Sequence, residues 1–482
     1  MMSMEVDFSL YEFLNNIDKK IEVNNTNFND ISNLVVEQFN YDWEQSDHKA
    51  MESQLLREKN AIIGHYEDVK YYMDKIRNIL REKNIGNVEY PSYYENIVDA
   101  IFHENWGLAG IAPWAFDATD EYKSSSSAKI IGDKIYCLIN GKEVLQPQTI
   151  CEKRRLQLKK ALLLGKPDER MEEGFHEVYL NNGIRVTIYS GDRTKVGQDI
   201  MVFRKYVFKE MTFEKMAEKN TIPFEIIPMF KAMIKIGYNV LFSGQVRSGK
   251  TTFMICWQKY EDESLEGLAI ATDPETPWHE IMPKAPIMQI IADGENLEQI
   301  TKSLLRSDCD YVLLEEMRDS VAFNIGLDIT STGTQRSKGT IHTNNAIDIP
   351  YKMASKIVSK YGGDLNSCIS QVFKNFNYVL EFIQLANDKS KKILKGISEF
   401  RYDEKKDVCS IHKICKYDFQ RHKWTFNWDI GLDKKEIAID NIDEFQSFNE
   451  ILKDLAFKFP MDENTIIYPA YYKSRGSELN EN

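Results

Sequence analysis

The chain has 482 residues, 43% of them hydrophobic, which is enough for two to four globular domains. A net charge of −13 and a pI near 5.3 argue against direct nucleic-acid binding, because affinity for DNA comes largely from neutralising phosphates. The seven cysteines are odd in number and form no C-x-x-C pair, which indicates reduced thiols in a cytoplasmic protein, without a zinc site or a disulfide framework.

The N-terminal sequence is acidic, and no apolar run has the length of a membrane span, so any association with a membrane is expected to run through partners. From Phe8 to Asn105 apolar residues recur at steps of three and four among charges. The pattern is carried by Ile62, Tyr66, Val69, Tyr72, Met73, Ile76, Ile79 and Leu80. It predicts a helical region over residues 1–105, used for packing or, alternatively, as a docking arm.

Between Gly107 and Arg204 the pattern changes to short apolar runs broken by Gly, Asn and Asp. Strands are predicted over Lys129–Leu138, Glu177–Leu180, Ile184–Tyr189 and Ile200–Phe203. They indicate a small α+β domain over residues 106–222, with a linker and an amphipathic helix following between Lys205 and Ile236.

Residues 244–251 read G-Q-V-R-S-G-K-T, the pattern of Gly, four residues, then Gly-Lys-Ser/Thr. Two glycines let the backbone curl until successive N–H groups point at a β-phosphate. Lys250 adds a positive charge for the β- and γ-phosphates, and the Thr251 hydroxyl is placed to bind Mg²⁺. The apolar run Tyr238–Phe242 and the helix-compatible Thr252–Trp257 supply the strand and the helix that such a loop requires.

Three later segments end in polar residues that suit the same chemistry. Tyr311–Glu316, preceded by a helical stretch, is an apolar strand ending in carboxylates, and Glu316 is placed to hold Mg²⁺ or its water. Acids also follow the apolar stretch Leu268–Ala271, where Glu275 could polarise the attacking water. His342 ends a β-branched run, which suits a γ-phosphate sensor, although a structural histidine is the alternative interpretation.

The mainly parallel nucleotide-binding core is predicted over residues 223–397, because strands and helices alternate there. The remaining residues, 398–482, hold strand-like and helix-like segments. The strands are expected at Val408–Tyr417 and Trp424–Trp428, and the helix at Ile442–Phe457.

The order of these motifs resembles the secretion ATPase superfamily, the motors of type II and type IV secretion, type IV and Tad pili, and conjugation. Four boxes match in order: GQVRSGKT at 244–251, ATDPE at 271–275, RSDCDYVLLEEMRD at 306–319 and GTIHTNN at 339–345. Residues 182–187 and 202–205 also look like arginine-bearing strands of that family's N-terminal domain. The resemblance therefore covers residues from about Trp106 to Ile397.

Some residues depart from the family pattern. Glu315 stands where these ATPases usually carry glycine, Cys309 replaces a common proline, and the box around Pro274 is shortened. The tetracysteine insert of some type II motors is absent, which favours the Tad, type IV secretion or conjugation side of the family.

The resemblance implies an α/β fold: a RecA-like P-loop NTPase domain preceded by a small α+β, PAS-like domain and the N-terminal helical region. It implies a hexameric cytoplasmic Mg²⁺-ATPase, held at the inner face of the membrane by an inner-membrane platform or secretion-channel proteins. The expected catalytic residues are Lys250, Glu275, Glu316 and His342, with Thr251 and Glu316 as Mg²⁺ ligands. The expected ATP-binding residues are Gly244, Gln245, Val246, Arg247, Ser248, Gly249, Lys250, Thr251, Thr252, Arg185 and Arg204.

Two other functions remain open from the sequence. A RecA-type core could translocate DNA, although the acidic composition opposes this. An assembly scaffold could use ATP binding, with little hydrolysis, to lock a ring onto which partners dock.

Overall fold

The computed structural model forms two compact units, Met1–Val207 and Phe208–Asn482. The structure describes residues 27–44, 48–86, 88–163, 175–189, 194–195, 198–205, 211–272, 276–292, 294–304, 306, 309–462 and 466–472. Among these residues, no helix combines the length and the apolar character that crossing a bilayer requires.

The described part of the first unit begins with helices, as the periodic pattern predicts, whereas residues 1–26 of the predicted helical region lie outside the described residues. Its helices are α1 Phe28–Glu44, α2 His48–Ile62, α3 Tyr66–Glu82, α4 Ile97–Asn105, α5 Ala112–Ala115, α6 Asp120–Ser124 and α7 Glu152–Leu163. In α3 the buried residues Tyr72, Ile76, Ile79 and Leu80 form one face. They pack against α1 and α4 in an apolar cluster, so the three-and-four spacing does mark a packing face.

A six-stranded sheet completes the first unit. Its strands are β1 Ser127–Ile131, β2 Lys134–Ile139, β3 Lys142–Thr149, β4 Phe175–Tyr179, β5 Arg185–Tyr189 and β6 Ile200–Arg204. The order is β3-β2-β1-β6-β5-β4, and every neighbouring pair is antiparallel. Buried and partly exposed residues alternate along β5 and β6, as expected for strands that bury one face more than the other. Strands and helices in this segment confirm its mixed character.

The second unit combines helices with a ten-stranded sheet. Its helices are α8 Phe213–Glu218, α9 Ile227–Ile236, α10 Lys250–Gln258, α11 Trp278–Ile281, α12 Gly294–Leu304, α13 Ser320–Ser331, α14 Asp348–Tyr361, α15 Leu365–Asn375, α16 Leu432–Ile437 and α17 Ile442–Lys458. Its strands are β7 Val240–Gly244, β8 Gly267–Ala271, β9 Ile287–Ile291, β10 Tyr311–Met317, β11 Lys338–Ile341, β12 Tyr378–Gln384, β13 Lys392–Asp403, β14 Val408–Asp418, β15 Lys423–Phe426 and β16 Ile466–Ile467.

Six of the ten strands of this sheet are parallel. The strands β12-β7-β11-β10-β8-β9 lie side by side in that order and run in one direction. All residues of β7 and β11 are buried, as expected for parallel strands covered on both faces. Because parallel strands end at the same edge, the residues that follow β7, β8, β10 and β11 are brought together there. That edge carries the predicted motifs.

The other four strands, β13 to β16, pair antiparallel and come from the C-terminal part of the chain. β13 pairs with β12, and β14, β15 and β16 extend the sheet from it. The segments predicted as strands at Val408–Tyr417 and as a helix at Ile442–Phe457 are found as β14 and α17. The described residues between 398 and 472 therefore continue the sheet of the second unit. The bounds of the four predicted domains remain predictions, because the two units give a coarser division.

Candidate nucleotide-binding site

The glycine-rich loop joins β7 to α10 at the carboxyl edge of the parallel strands. Gly244 ends β7 so close to β12 that a Cβ at this position would lie 2.2 Å from the carbonyl oxygen of Phe382. Gly249 precedes α10 with a φ of +92°, in the left-handed region that glycine adopts without strain. Both glycines of the motif are therefore required by the backbone, as the sequence pattern implies.

The loop contains a buried polar atom without a partner. The Ser248 side chain is fully buried, and its Oγ makes no hydrogen bond. The loop residues before it, Gln245, Val246 and Arg247, are exposed, so the buried hydroxyl lies under a solvent-facing loop. Unsatisfied buried polar groups are rare in folded proteins, and a phosphate oxygen is a group that would satisfy this one. The loop thus fits an anion.

Three of the predicted catalytic side chains form one chain of contacts. Lys250 Nζ donates to the Gln245 carbonyl oxygen at 2.8 Å and lies 3.2 Å from His342 Nδ1. His342 Nε2 lies 3.3 Å from Glu316 Oε1. An ammonium group can only donate, so Nδ1 accepts and the proton on Nε2 faces the carboxylate. The strand order explains the contact, because β11, which precedes His342, lies between β7 and β10.

Burial and charge shift the titration of the two ends of this chain. Burial lowers the pKa of Lys250 to about 8, and the nearby Glu316 carboxylate opposes the shift only in part. The hydrogen bond from His342 holds the pKa of Glu316 below its usual value, helped by the charge of Arg318. At neutral pH the site therefore presents a buried ammonium and an ionised carboxylate.

A hydroxyl and a carboxylate flank the loop where a divalent cation is expected. Thr251 is partly exposed in the first turn of α10, and Glu316 lies near the end of β10. Mg²⁺ is usually held by one or two protein oxygens together with substrate phosphates, so this donor set fits it. Among the described residues, no group of three or more His, Cys, Asp or Glu could hold a metal ion.

Glu315, the residue that departs from the family pattern, is buried on the other face of β10. Its Oε2 accepts from the Thr276 hydroxyl at 2.5 Å, and its Oε1 accepts from Trp278 Nε1 at 2.7 Å. These contacts tie the segment that follows the ATDPE box, residues 271–275, to the strand that carries Glu316. Successive strand residues point to opposite faces of a sheet. Glu315 therefore bonds to Thr276 and Trp278, whereas Glu316 contacts His342.

The His342 loop is held by contacts that the sequence did not indicate. Lys352 Nζ donates to the His342 carbonyl oxygen at 2.5 Å. The buried Glu381 accepts from the Ala346 amide at 3.1 Å and from Lys413 Nζ at 2.6 Å. Lys395 Nζ donates to the Asn344 carbonyl oxygen and to Asn345. The sequence feature that could have indicated these contacts is Glu381 itself, a glutamate inside the apolar run of β12.

The remaining predicted site residues lie elsewhere. Arg185 and Arg204 face each other in the register of β5 and β6, in the first unit. Arg185 Nε is 3.9 Å from Glu177 Oε1. Their approach to a nucleotide stays a prediction. Glu275 lies outside the described residues, so its predicted part in catalysis is untested. Thr252 follows Thr251 in α10 and is partly exposed.

Comparison with known proteins finds a family match for one segment of the chain. Residues 196–391, less than half of the chain, match the family model described as "Type II/IV secretion system protein". This segment is therefore similar to type II/IV secretion system proteins, as the order of its motifs predicts. The match includes the loop, both acidic strands and the histidine segment. No curated protein matches the sequence significantly.

Solved structures of low sequence identity were also matched. The VirB11 ATPase of the Brucella suis type IV secretion system, in complex with sulphate, is 15% identical over 60% of this chain and 95% of its own, with a TM-score of 0.32. The Legionella pneumophila ATPase DotB is 12% identical over 72% and 88%, with a TM-score of 0.43. The pilus retraction motor PilT with bound ADP is 13% identical over 69% and 88%, with a TM-score of 0.42. The similarity to type II/IV secretion system proteins rests on the match of residues 196–391 to the family model.

Proposed function

We propose that this protein is a Mg²⁺-dependent ATPase motor that drives a type IV secretion, conjugation, or Tad or type IV pilus apparatus. The observation that supports this best is the contact chain from Lys250 through His342 to Glu316 beside the glycine-rich loop. It joins the phosphate-binding lysine, the predicted γ-phosphate sensor and the predicted Mg²⁺ ligand. Each of these residues follows or ends a different parallel strand.

The side chains divide the work of binding and turnover. The loop amides and Lys250 hold the β- and γ-phosphates, and Ser248 Oγ gains a partner when an anion fills the loop. Thr251 and Glu316 would hold Mg²⁺, which supplies charge neutralisation for the phosphates when bound. Glu275 orients the attacking water, as the family resemblance implies.

His342 is suited to report the γ-phosphate. Its Nδ1 accepts from Lys250 in the structure, and its Nε2 faces Glu316. A phosphate that draws Lys250 away removes the donor at Nδ1, so the imidazole exchanges one hydrogen-bond partner for another. Binding and loss of the γ-phosphate thus change the position of the histidine loop, which Lys352 connects to α14.

The motor would act as a cytoplasmic hexamer, held at the inner face of the membrane by platform or channel proteins. Arg185 and Arg204 close over the nucleotide, and residues 205–222 serve as the hinge. Small-angle scattering tests this step: Arg204→Ala is expected to keep nucleotide binding but lose ATP-dependent compaction. Compaction equal to that of the parent protein would refute the hinge.

Phosphate release from Mg²⁺-ATP by the purified protein and by Lys250→Ala, over a range of protein concentrations, tests the function itself. Turnover that vanishes in the variant and rises faster than linearly with concentration supports a ring-dependent motor. Absence of turnover together with ATP-dependent ring formation would contradict the motor and support a nucleotide-locked scaffold. Turnover that DNA stimulates would instead support a DNA-translocating ATPase.

A further inference from the structure

Three cationic side chains converge on the side of the loop away from His342. Lys392 begins β13, Arg247 lies within the loop, and Lys219 follows α8. We call them the cation cluster. Arg247 is one of the ATP-binding residues expected from the sequence, whereas Lys219 and Lys392 are not among them.

Main-chain contacts place these segments side by side. The Lys392 side chain runs along the loop, so that a Cβ at Gly249 would lie 3.2 Å from Lys392 Cδ. Two residues further along β13, the Leu394 amide donates to the Thr221 carbonyl oxygen at 2.8 Å, which brings the turn containing Lys219 beside the strand. Arg247 has a φ of +65°, a left-handed conformation that non-glycine residues rarely adopt.

The structure pairs no counter-charge with the cluster among the residues that it describes. Within that part of the chain, no side chain of the cluster makes an ion pair or a hydrogen bond. Burial lowers the pKa of Lys392, and the charges of Lys219 and Arg247 lower it further. Cations that repel one another next to a phosphate-binding loop are poorly placed for stability, since like charges oppose each other at short range. A bound anion removes that repulsion.

The position of the cluster indicates which part of a nucleotide it meets. His342 follows β11, on one side of β7, while β12 and β13 lie on the other side. Lys250 is expected to take the β- and γ-phosphates on the His342 side. The phosphate left for the opposite side of Gly249 is the α-phosphate, next to the ribose.

We propose that Lys219, Arg247 and Lys392 form a subsite for the α-phosphate of the bound nucleotide. The inference rests on the proposed function, because it assumes that the loop binds a nucleotide. It adds that residues from β13 and from the turn after α8 contact the same ligand. Nucleotide occupancy then links β13 and the segment preceding α9 directly to the loop.

The test compares Lys392→Met with the control Lys389→Met, an exposed lysine three positions earlier in the same hairpin. Methionine keeps the apolar stem along Gly249 and removes the charge. Dissociation constants for the N-methylanthraniloyl derivatives of AMP, ADP and ATP are measured by fluorescence, together with the melting temperature. Loss of one charge-assisted contact weakens binding about 10- to 100-fold.

Lys392→Met is expected to weaken the binding of all three nucleotides by a similar factor. The melting temperature of the variant should stay level or rise, because a repulsive charge is gone. Lys389→Met is expected to change neither. A residue with only a structural role would instead lower the melting temperature. Unchanged affinity in Lys392→Met overturns the subsite, and weakening of ADP and ATP with AMP unaffected overturns its assignment to the α-phosphate.

The variant Lys250→Ala separates this inference from the proposed function. It is expected to weaken ADP and ATP but to leave AMP unchanged, since Lys250 faces the β- and γ-phosphates. If the parent protein binds none of the three nucleotides, the proposed function and the subsite both fail. If the parent protein binds them and Lys250→Ala weakens ATP while Lys392→Met does not, the subsite alone fails.

Discussion

The carboxyl edge and the amino edge of the parallel strands both carry lysine and glutamate side chains, but these side chains are arranged differently at the two edges. At the carboxyl edge, Lys250, His342 and Glu316 form an open chain, and the Ser248 hydroxyl is buried without a partner. At the amino edge the buried charged groups form a closed network of ion pairs instead. Lys338, at the start of β11, donates to Glu261 at 2.5 Å, and both side chains are almost fully buried.

Further contacts close the amino edge. Arg336 also pairs with Glu261 and donates to the carbonyl oxygens of Ile234 and Lys235. The side-chain oxygen of Asn239, before β7, accepts from the Ser337 backbone amide. The backbone amide of Asn239 donates to the side-chain oxygen of Asn377. These bonds join the starts of β7, β11 and β12.

The two edges therefore differ in whether their charged groups are available to a ligand. A closed ion network resists change, because breaking it leaves a charge buried and unpaired. An open chain of charged groups beside a glycine-rich loop can take up a ligand. Substitutions at the two edges should therefore separate stability from turnover, with each edge governing one of them.

The largest effect is expected from Glu316→Gln at the carboxyl edge. Loss of a positioned carboxylate lowers the turnover of ATP by about 10²- to 10⁴-fold, while nucleotide binding is kept. The free energy of unfolding should change by less than about 0.5 kcal/mol, because the Glu316 side chain is partly exposed. Steady-state turnover and urea unfolding measure the two quantities. Comparable turnover in Glu316→Gln and in Glu295→Gln, an exposed control, would contradict this role.

The second effect is on stability, through Glu261→Gln at the amino edge. Lys338 and Arg336 then lose their shared counter-charge, and the buried ammonium destabilises the fold by about 3–5 kcal/mol. The free energy of unfolding, measured by urea denaturation, should fall by that amount. Glu263→Gln, two residues away and exposed, should change it little. The comparison between the edges breaks down if the folded Glu261→Gln protein also loses affinity for ATP.

The smallest effect is a pH dependence of ATP binding. Burial lowers the pKa of Lys250 to about 8, so the ammonium form that binds phosphate is present below that pH and is lost above it. Bound phosphate favours the charged form, so affinity should fall by up to about tenfold per pH unit above pH 8. Calorimetric titration with a non-hydrolysable ATP analogue between about pH 7 and pH 9.5 measures the slope.

Lys250→Arg provides the control for this titration. A guanidinium keeps its charge throughout that range, so its affinity should show no such decline even if it is weaker overall. A flat profile in the parent protein, or an equal slope in the arginine variant, would place the titrating group elsewhere.

Sequence patterns predicted those parts of the fold whose signals are local. The loop pattern predicted α10, the heptad-like spacing predicted α3, and the strand-like run at Val408–Tyr417 predicted β14. The strand β9 was not predicted, because most of its residues are partly or fully exposed and show no alternation. The helices α13 to α15 were not predicted individually, because the feature interpreted in that part of the sequence was the strand-like run before His342.

The sequence likewise predicted some residues of the candidate site and not others. Lys250, Glu316 and His342 were recognised from motifs and meet in the structure. Glu315 was noticed as a departure from a family pattern, but its bonds to Thr276 and Trp278 are not visible in the sequence. Lys392 gave no signal at all, because a lysine at the start of a strand is an ordinary exposed residue until the fold places it against Gly249.

The local geometry of the loop follows from its residues: two glycines at positions where a side chain cannot be accommodated, followed by a lysine and a threonine that open a helix. Which distant residues reach that loop depends on the folded arrangement of the strands. The reason is the strand order, in which β11 separates β7 from β10 and so puts His342 between Lys250 and Glu316. On the other side, β12 and β13 bring Lys392 to the same loop, and no local pattern encodes the order of strands in a sheet.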